Sequence, residues 1–294
     1  MGAGARRIAV VPLFLAPGSH VTRDLPAEVR RLGALHPGVE VVLAPPLGSA
    51  EGVWEAAAGL ARAALGLGEE TGVSLSCGER TMERWGYDLQ PLEIERKSFE
   101  IIEGLVDLTG LDPAEAAVVK RVVHATGDPG FADLLRWSPG AVAAGVRALA
   151  AGTPVVTDVQ MARAGISRVR AERFGVEVRC HISEPGVREE ARARGVTRSV
   201  AAVERAVAEN PGAVFAFGNA PTALFRLLEL VDEGRARPSL VIGVVVGFVG
   251  AAESKEALMA RADPPWISCR GNRGGSAVAA ATVNALLKAA AGEV

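Results

Sequence analysis

Four histidines are the first side chains to weigh as acid–base groups: His20, His36, His124 and His181. His124 stands in the last turn of a predicted helix, just before a Gly-Asp-Pro-Gly loop, where the helix C-terminus favours the protonated imidazole. A histidine there can donate a proton near neutral pH. His20 follows a Pro-Gly turn after a predicted strand, a position that often faces a site. On spacing alone, a structural role is somewhat more common than a catalytic one for both.

The other two histidines and the cysteines give weaker signals. His36 precedes Pro-Gly at a predicted helix end and is typical of a solvated cap. His181 alternates within a predicted strand and is typical of a satisfied core or surface histidine. Cys77, Cys180 and Cys269 are odd in number and widely spaced, so they predict neither a metal-ligand pair nor a disulfide framework. A reducing cytoplasm fits this usage best.

Three strand-like runs near the end of the chain are each followed by a glycine-rich turn and a helix-like run. Apolar runs bounded by glycine predict buried parallel strands with crossover helices. Glycine lets a backbone approach a ligand, and the following helix N-terminus offers N–H groups to an anion. Since ligands of open parallel sheets bind at the carboxyl ends of strands, we expect a wide anion-accepting rim. The strand, turn and helix segments are 214–217, 218–222 and 223–231; 240–246, 247–250 and 251–261; 266–270, 271–276 and 277–287.

The composition of the chain argues against some classes of function. The chain has 294 residues, 49% hydrophobic and 22% charged, with a formal net charge of −2. This is typical of a globular protein with a substantial core and lacks the basic excess of a broad nucleic-acid surface. No apolar run is long enough to span a bilayer, and no signal-peptide pattern is evident, so we expect no membrane partner and a cytoplasmic location.

The patterns predict an α/β protein with a mainly parallel sheet flanked by helices. Residues 1–66 form a small βαβα unit, with strands at 8–15 and 39–43 and helices at 27–35 and 53–65; it is too small to make a comfortable core alone. Residues 67–86 are predicted to be a linker, rich in Gly, Glu, Thr and Ser. Residues 87–294 form the second unit.

Upstream of the glycine turns, the second unit is predicted to be mostly helical. Asp112-Pro113 is an N-cap followed by a first-turn proline, starting a helix that runs to Thr126. Further predicted segments are helices at 91–106, 139–150 and 161–167, strands at 154–158 and 176–182, a helix at 184–194, and a helix opened by 196–199 that runs to Glu209.

The residue strings in this unit resemble the precorrin-8X methylmutase (cobalt-precorrin-8 methylmutase) family of cobalamin biosynthesis. The similarity is continuous over roughly residues 87–287. The strings that carry it are FGNAPTALF at 217–225, VGFVGAAESK at 246–255 and RGNRGGSA at 270–277, with IERKSF at 94–99, RVVH at 121–124, DVQM at 158–161, GISR at 165–168 and TRS at 197–199.

The resemblance implies an isomerase that moves a methyl group from ring carbon eleven to ring carbon twelve of a contracted tetrapyrrole. The family's shift is described as sigmatropic, so the protein need supply no covalent nucleophile, and no separate cofactor is implied. By resemblance, His124 protonates or hydrogen-bonds a ring nitrogen. The resemblance also implies a homodimer with sites near the interface.

The substrate is a large apolar disc fringed with carboxylates, which suits the predicted rim. Glycine-rich turns can bind carboxylates through backbone N–H groups, and arginines can form bidentate pairs. A ligand role is favoured for Arg198, whereas Arg96 fits a ligand or a surface ion pair equally. Ser276 fits a helix N-cap or a ligand contact, and Asp158 can orient a donor or accept from a nearby backbone N–H. The candidate substrate-binding residues are Arg198, Thr197, Ser167, Ser98, Arg96, Asn219, Gly274, Gly275 and Ser276.

The chain departs from the family pattern in places. The family often has Cys where Thr126 stands, Thr at Ser167 and Pro near Val245. None of these changes removes a proton donor or a proposed carboxylate contact. The change at Val245 concerns only local turn geometry.

The first unit carries a second resemblance, to the latter half of the small sirohydrochlorin cobaltochelatases. VPLFLAPGSHV at 11–21, DLP at 24–26 and APPLG at 44–48 carry it. That family's histidine works with another from an earlier half that has no counterpart here. A lone His20 is a weak metal candidate, since ligation normally needs several groups. We therefore expect no metal site, and keep a metal chelatase and a non-catalytic tetrapyrrole carrier as alternative functions.

Overall fold

The chain divides into two compact units, Met1–Tyr87 and Asp88–Val294. The computed structural model describes residues 7–10, 29–32, 40–43 and 91–293. In the first unit, strand β1 (Arg7–Val10) pairs in parallel with β2 (Glu40–Leu43), and residues 29–32 are helical. These segments form one βαβ arrangement, and the βαβα unit at 1–66 stays a prediction. His20, His36, the 53–65 helix and the 67–86 linker lie outside the described residues.

The second unit is built on a six-stranded sheet in the order β3-β8-β7-β6-β4-β5. All neighbouring pairs are parallel except β3 with β8, which is antiparallel. The predicted α/β class with a mainly parallel sheet is confirmed. The strands are β3 (Leu135–Trp137), β4 (Val155–Thr157), β5 (Val178–Arg179), β6 (Val214–Phe217), β7 (Leu240–Gly243) and β8 (Trp266–Cys269).

In the described part of this unit, ten α-helices flank the sheet or its edges, and two short 3₁₀ turns are additional to these ten. None of the described helices is long and apolar enough to cross a bilayer. The helices are α1 (Pro91–Glu103), α2 (Pro113–Thr126), α3 (Ala141–Ala150), α4 (Gln160–Gly165), α5 (Arg168–Arg173), α6 (Val187–Arg194), α7 (Arg198–Glu209), α8 (Pro221–Asp232), α9 (Ala251–Met259) and α10 (Ser276–Ala290), with 3₁₀ turns at Pro129–Phe131 and His181–Ser183.

The central strands are apolar along their whole length because both faces of the sheet are covered. All four residues of β6 are buried. Val214 and Ala216 join the core on one face, and Phe215 and Phe217 join the core on the other. Since β6, β7 and β8 are adjacent and parallel, the turns that follow them lie side by side at one edge, as predicted.

Helix α10 connects this edge to the helix that carries His124. It packs against α2, α3 and α4. The approach is close because small residues face each other: a Cβ added at Gly165 would lie 2.8 Å from the Cβ of Ala280. Helix α2 begins with a complete capping box, in which Asp112 accepts from the Glu115 N–H and Glu115 accepts from the Asp112 N–H.

Three segments differ from the sequence prediction. Strand β3 was not predicted, because Leu-Arg-Trp is too short for a periodic signal and owes its pairing to β8. Helix α5 was also missed. The predicted strand at 176–182 is only two residues long, and its end forms the 3₁₀ turn His181–Ser183, so His181 does not lie in a strand.

Candidate active site

His124 is held by a hydrogen bond to a side chain from the neighbouring helix. Its Nδ1 lies 2.8 Å from the Oγ of Ser98 on α1. His124 stands in the last turn of α2, which ends at Gly127 in the left-handed conformation (φ 65°). With Nδ1 engaged by Ser98, Nε2 is the nitrogen available to a ligand. The structure therefore brings two of the predicted site residues into direct contact.

The Phe99 ring supports the imidazole from the side. It meets His124 edge-on, with ring centroids 5.5 Å apart. The guanidinium of Arg121 lies 4.8 Å from the centre of the same phenyl ring and is ion-paired with Glu95. Although burial acts to raise it, pairing with Arg121 and Lys288 lowers the pKa of Glu95. This network fixes α1 against α2 and so fixes the position of His124.

An open cleft of about 360 Å³ lies beside His124 and Ser98. Its wall is apolar, and three large aliphatic side chains on or next to α1 remain exposed: Ile94 (48%), Ile101 (63%) and Leu105 (59%). Exposed aliphatic residues beside a polar donor are typical of a small-molecule site. Ile102, on the same helix, is buried in the core instead.

The loop that borders this cleft is tied to the third glycine turn. Gly127 and Pro129 line the cleft, and Asp128 between them is ion-paired with Arg273. The Arg273 guanidinium also lies 5.0 Å from the centre of the Phe131 ring. The His124 cleft and the glycine rim are therefore neighbours, bridged by one arginine.

The three glycine turns are joined to each other through their backbones. The Val246 N–H donates to the Gly218 carbonyl (3.1 Å), and the Gly247 N–H donates to the Asn272 carbonyl (3.1 Å). A Cβ added at Gly218 would lie 2.6 Å from the backbone of Gly275. Glycine is required at Gly218 because the first and third turns touch there.

Asp158 occupies the anion position of the first turn. Its carboxylate accepts from the N–H groups of Gly218 (3.2 Å), Asn219 (2.7 Å) and Ala220 (2.7 Å). Burial raises the pKa of Asp158 even though these three donors favour its ionised form. The expectation that this turn binds a substrate carboxylate through its backbone is therefore wrong: a protein carboxylate already fills the place. The Asn219 side chain remains exposed at the rim.

Gly274, Gly275 and Ser276 lie where the third turn enters α10. Gly275 is the N-cap residue and donates its N–H to the Val244 carbonyl (2.8 Å), so this group too is used within the protein. Ser276 is the first helical residue and is 8% exposed. The suggestion that Ser276 is the N-cap is wrong, because Gly275 takes that position without a side-chain hydrogen bond.

Thr197 and Arg198 stand beside the first turn. Thr197 caps α7 by accepting from the Val200 N–H (3.3 Å), and its Oγ1 lies 3.1 Å from that of Thr222 in α8. Arg198 is exposed and borders a groove with Glu184. Its guanidinium has no ion pair with the described acidic side chains, in contrast to most arginines of this unit.

Two candidates lie elsewhere. Arg96 is ion-paired with Glu93 (2.7 Å) and with Glu100 on its own helix, the arrangement of a surface salt bridge. Ser167 caps α5, and its N–H donates to the Asn284 side chain (2.7 Å), eight residues into α10 and roughly 12 Å from the start of that helix. No hydrogen bond or ion pair among the described residues joins either of them to His124.

His181 is buried but not satisfied, contrary to the sequence interpretation. It is 2% exposed, and neither ring nitrogen makes a hydrogen bond. Glu184 lies 2.9 Å from Nδ1 outside hydrogen-bond geometry, and Glu209 lies 4.0 Å from Nε2. The three side chains have the spacing of a metal cluster, yet Glu209 is already paired with Arg179 (3.0 Å) and the two carboxylates flank opposite ring nitrogens. We therefore do not assign a metal centre to these three side chains.

The sequence analysis did not single out two residues that join the parts of this region: Arg273, which pairs with Asp128 beside the cleft, and Lys255, whose Nζ donates to the Arg273 carbonyl (2.6 Å). Both lie inside the strings that carry the resemblance. The signal that could have found Lys255 is a lysine on the apolar side of a crossover helix, since such a buried position calls for a specific acceptor.

The comparisons with known proteins identify the second unit. The precorrin-8X methylmutase family model matches residues 93–289, and a model described as CbiX matches residues 1–63. A cobalt-precorrin-8 methylmutase of Methanothermobacter thermautotrophicus is 46% identical over 200 residues, covering 67% of this chain and 93% of that protein. A precorrin-8X methylmutase of Pseudomonas aeruginosa is 46% identical over 194 residues, covering 66% and 93%.

A solved structure agrees with these relatives. The precorrin-8X methylmutase of Thermus thermophilus is 41% identical and superimposes with a TM-score of 0.64, covering 69% of this chain and 98% of that one. The matched region holds the sheet, the glycine rim and the His124 cleft. The chain therefore belongs to the precorrin-8X methylmutase family, and it is an isomerase that moves a methyl group within one molecule.

Proposed function

We propose that this enzyme moves a methyl group of precorrin-8X, or of its cobalt form, from ring carbon eleven to ring carbon twelve. One carbon–carbon bond breaks as another forms, and the composition of the molecule is unchanged. The product is hydrogenobyrinate or cobyrinate. Because the reaction is an isomerisation, it needs no external oxidant, reductant or cofactor.

The observation that carries the proposal is the pair of Ser98 and His124 at an apolar cleft. The hydroxyl orients the imidazole through Nδ1, and Nε2 faces the ligand. His124 gives a proton to a ring nitrogen, selects the reactive tautomer, and takes the proton back when the methyl group has moved. A positioned general acid is worth about 10²- to 10⁴-fold in rate. Holding the ring in reactive geometry supplies the rest.

The substrate's shape matches the surfaces on either side of His124. The exposed side chains of Ile94, Ile101 and Leu105 suit the flat apolar face of the macrocycle. Arg198 and Arg273 suit its carboxylate fringe, because guanidinium groups form bidentate pairs with carboxylates. The backbone N–H groups of the first glycine turn are already bonded to Asp158. The acidic arms of the substrate are therefore bound by arginine and hydroxyl side chains.

We also infer that the enzyme works as a homodimer in the cytoplasm. Phe248 and Val249, in the second glycine turn, are 90% and 89% exposed, which is unusual for such large apolar side chains outside an interface. Cys180 and Cys269 are free and buried, as suits a reducing compartment. Sedimentation at micromolar concentration tests the dimer: a monomer at all concentrations contradicts it.

An absorbance assay separates the three functions considered for the chain. Mixing the protein with precorrin-8X without metal gives a progressive spectral change if it is a methylmutase. A change that needs added cobalt indicates a chelatase, an activity that the CbiX match of residues 1–63 raises for the first unit. A single stoichiometric shift without turnover indicates a carrier.

The role of His124 is tested against a second histidine. We expect His124→Ala to lower kcat by about 10²- to 10⁴-fold, because the proton donor is lost. His20→Ala is the matched control and should leave methyl migration nearly intact, since His20 belongs to the chelatase-like string at 11–21 and not to the strings that resemble the methylmutase family. The reverse result would transfer the chemistry to the first unit.

A further inference from the structure

Lys255 is a buried cation in the site region that the proposed reaction does not use. It lies on α9 and is fully buried. Burial lowers the pKa of its ammonium group. No carboxylate of the described residues is paired with it. An ammonium group in such surroundings is costly, so its hydrogen bonds must account for its presence.

Its hydrogen bonds converge on one peptide of the third glycine turn. Nζ donates to the Arg273 carbonyl at 2.6 Å and lies 3.6 Å from the Cys269 sulfur. Cys269 Sγ lies 3.1 Å from the same carbonyl. Two donors from different elements therefore hold the orientation of a single peptide plane.

That peptide determines where the Arg273 side chain lies. The next residue, Gly274, has φ 155°, and a Cβ there would lie 2.1 Å from the Val244 carbonyl oxygen. The turn is thus pressed against β7's end on one side and held by Lys255 on the other. From this fixed backbone, Arg273 reaches Asp128 in the loop that borders the His124 cleft.

We propose that Lys255 is a positioning residue: by holding the Arg273 carbonyl, it places the Arg273 guanidinium on the loop that borders the cleft, where the N–H groups not used by Asp128 bind a carboxylate of the substrate. This inference rests on the proposed function in that it takes the His124 cleft as the substrate site. It assigns Lys255 to substrate affinity rather than to stability. Methionine in place of the lysine removes the cost of burying a charge, and the Cys269 thiol still donates to the Arg273 carbonyl, so the two roles can be separated.

The test compares Lys255→Met, Arg273→Ala and the double variant. We expect Lys255→Met to keep or raise the melting temperature while KM rises about 10- to 100-fold, as for the loss of a charged hydrogen bond, with kcat within about 3-fold. The double variant should be no worse than Arg273→Ala alone, because both changes act through one guanidinium. Ser254→Ala, at a buried neighbour on α9 that bonds only within its helix, should change neither KM nor kcat.

Three results would overturn the inference. They are additive effects in the double variant, a KM unchanged by Lys255→Met, and failure of Lys255→Met to fold, which would assign the ammonium to stability. If the wild type showed no turnover, the proposed function would fail, but this inference could still be tested by ligand binding. The dissociation constant of hydrogenobyrinate, titrated by absorbance, should then show the same 10- to 100-fold pattern among the variants.

Discussion

The Oγ of Ser98 lies 2.8 Å from Nδ1 of His124, although 26 positions separate the two residues in the chain. The contact joins two helices and leaves Nε2 as the imidazole nitrogen available to a ligand in the cleft that His124 lines. Ser98→Ala should therefore lower kcat by about 3- to 10-fold, the loss expected for one neutral hydrogen bond that orients a catalytic group. Steady-state kinetics on the methyl migration measures it.

Ser98→Thr is the control for this change, because it keeps the hydroxyl and should retain most of the activity. If Ser98→Ala equalled the wild type while His124→Ala was inactive, the hydroxyl would have no part in orienting the imidazole.

Asp158→Asn tests the carboxylate that fills the first glycine turn. The amide is nearly the same size but presents an NH₂ group to backbone N–H donors, so at least one of the three contacts is lost. We expect a loss of about 1–3 kcal/mol in the free energy of unfolding, measured by urea denaturation. Asp107→Asn is the matched change at an exposed turn, where Asp107 accepts from the Thr109 N–H, and should stay close to wild type. Equal losses in the free energy of unfolding for the two substitutions would mean that the buried contacts of Asp158 stabilise the protein no more than the exposed contact of Asp107.

Gly274→Ala tests the contact between the third turn and the end of β7. An alanine Cβ would lie 2.1 Å from the Val244 carbonyl oxygen, and neither backbone can give way without breaking the Gly275–Val244 hydrogen bond. We expect a loss of more than about 3 kcal/mol, or no folded protein, by thermal denaturation.

Gly271→Ala in the same turn separates the clash from the effect of backbone conformation. Gly271 has φ 70° and no atom within 4 Å of an added Cβ, so only about 1–2 kcal/mol of left-handed strain is expected. A Gly274→Ala variant as stable as Gly271→Ala would show that the turn can move away from β7.

Glu204→Gln should destabilise the protein more at neutral pH than in acid. Glu204 joins Arg194 of α6 and Arg226 of α8 (2.7 Å), and hydrogen bonds from Arg194 lower the pKa of Glu204. A carboxyl whose pKa is lowered by folding adds stability above its unfolded pKa, about 4.3, and loses it as the pH falls through the folded value. We expect a difference of about 1–3 kcal/mol from wild type at pH 7.

The difference should be smaller at about pH 3, because protonation of the wild-type carboxyl weakens its ion pairs there. Denaturant unfolding of both proteins at the two pH values measures it, and the other ion-paired carboxylates cancel because they are common to both. A difference that stayed constant with pH would assign the effect to packing rather than to charge.

The sequence by itself determined the parts of this protein that depend on local pattern. Apolar runs followed by glycine identify β6, β7 and β8. Fully covered parallel strands need apolar residues on both faces, and the turns after them need residues that tolerate a positive φ or a close approach of another backbone segment. Asp112-Pro113 and Glu115 define the start of α2 for the same local reason, and the residue strings identify the family.

Tertiary structure alone decided which side chains meet. Asp158 reaches the first glycine turn across 60 positions, and Arg273 reaches Asp128 from another element; no local pattern encodes either contact. The strand β3 exists because β8 offers it an edge, and His181 turns out of its predicted strand into a buried 3₁₀ turn. These outcomes follow from packing and from the need to pair buried polar groups, both of which depend on residues brought together only when the chain has folded.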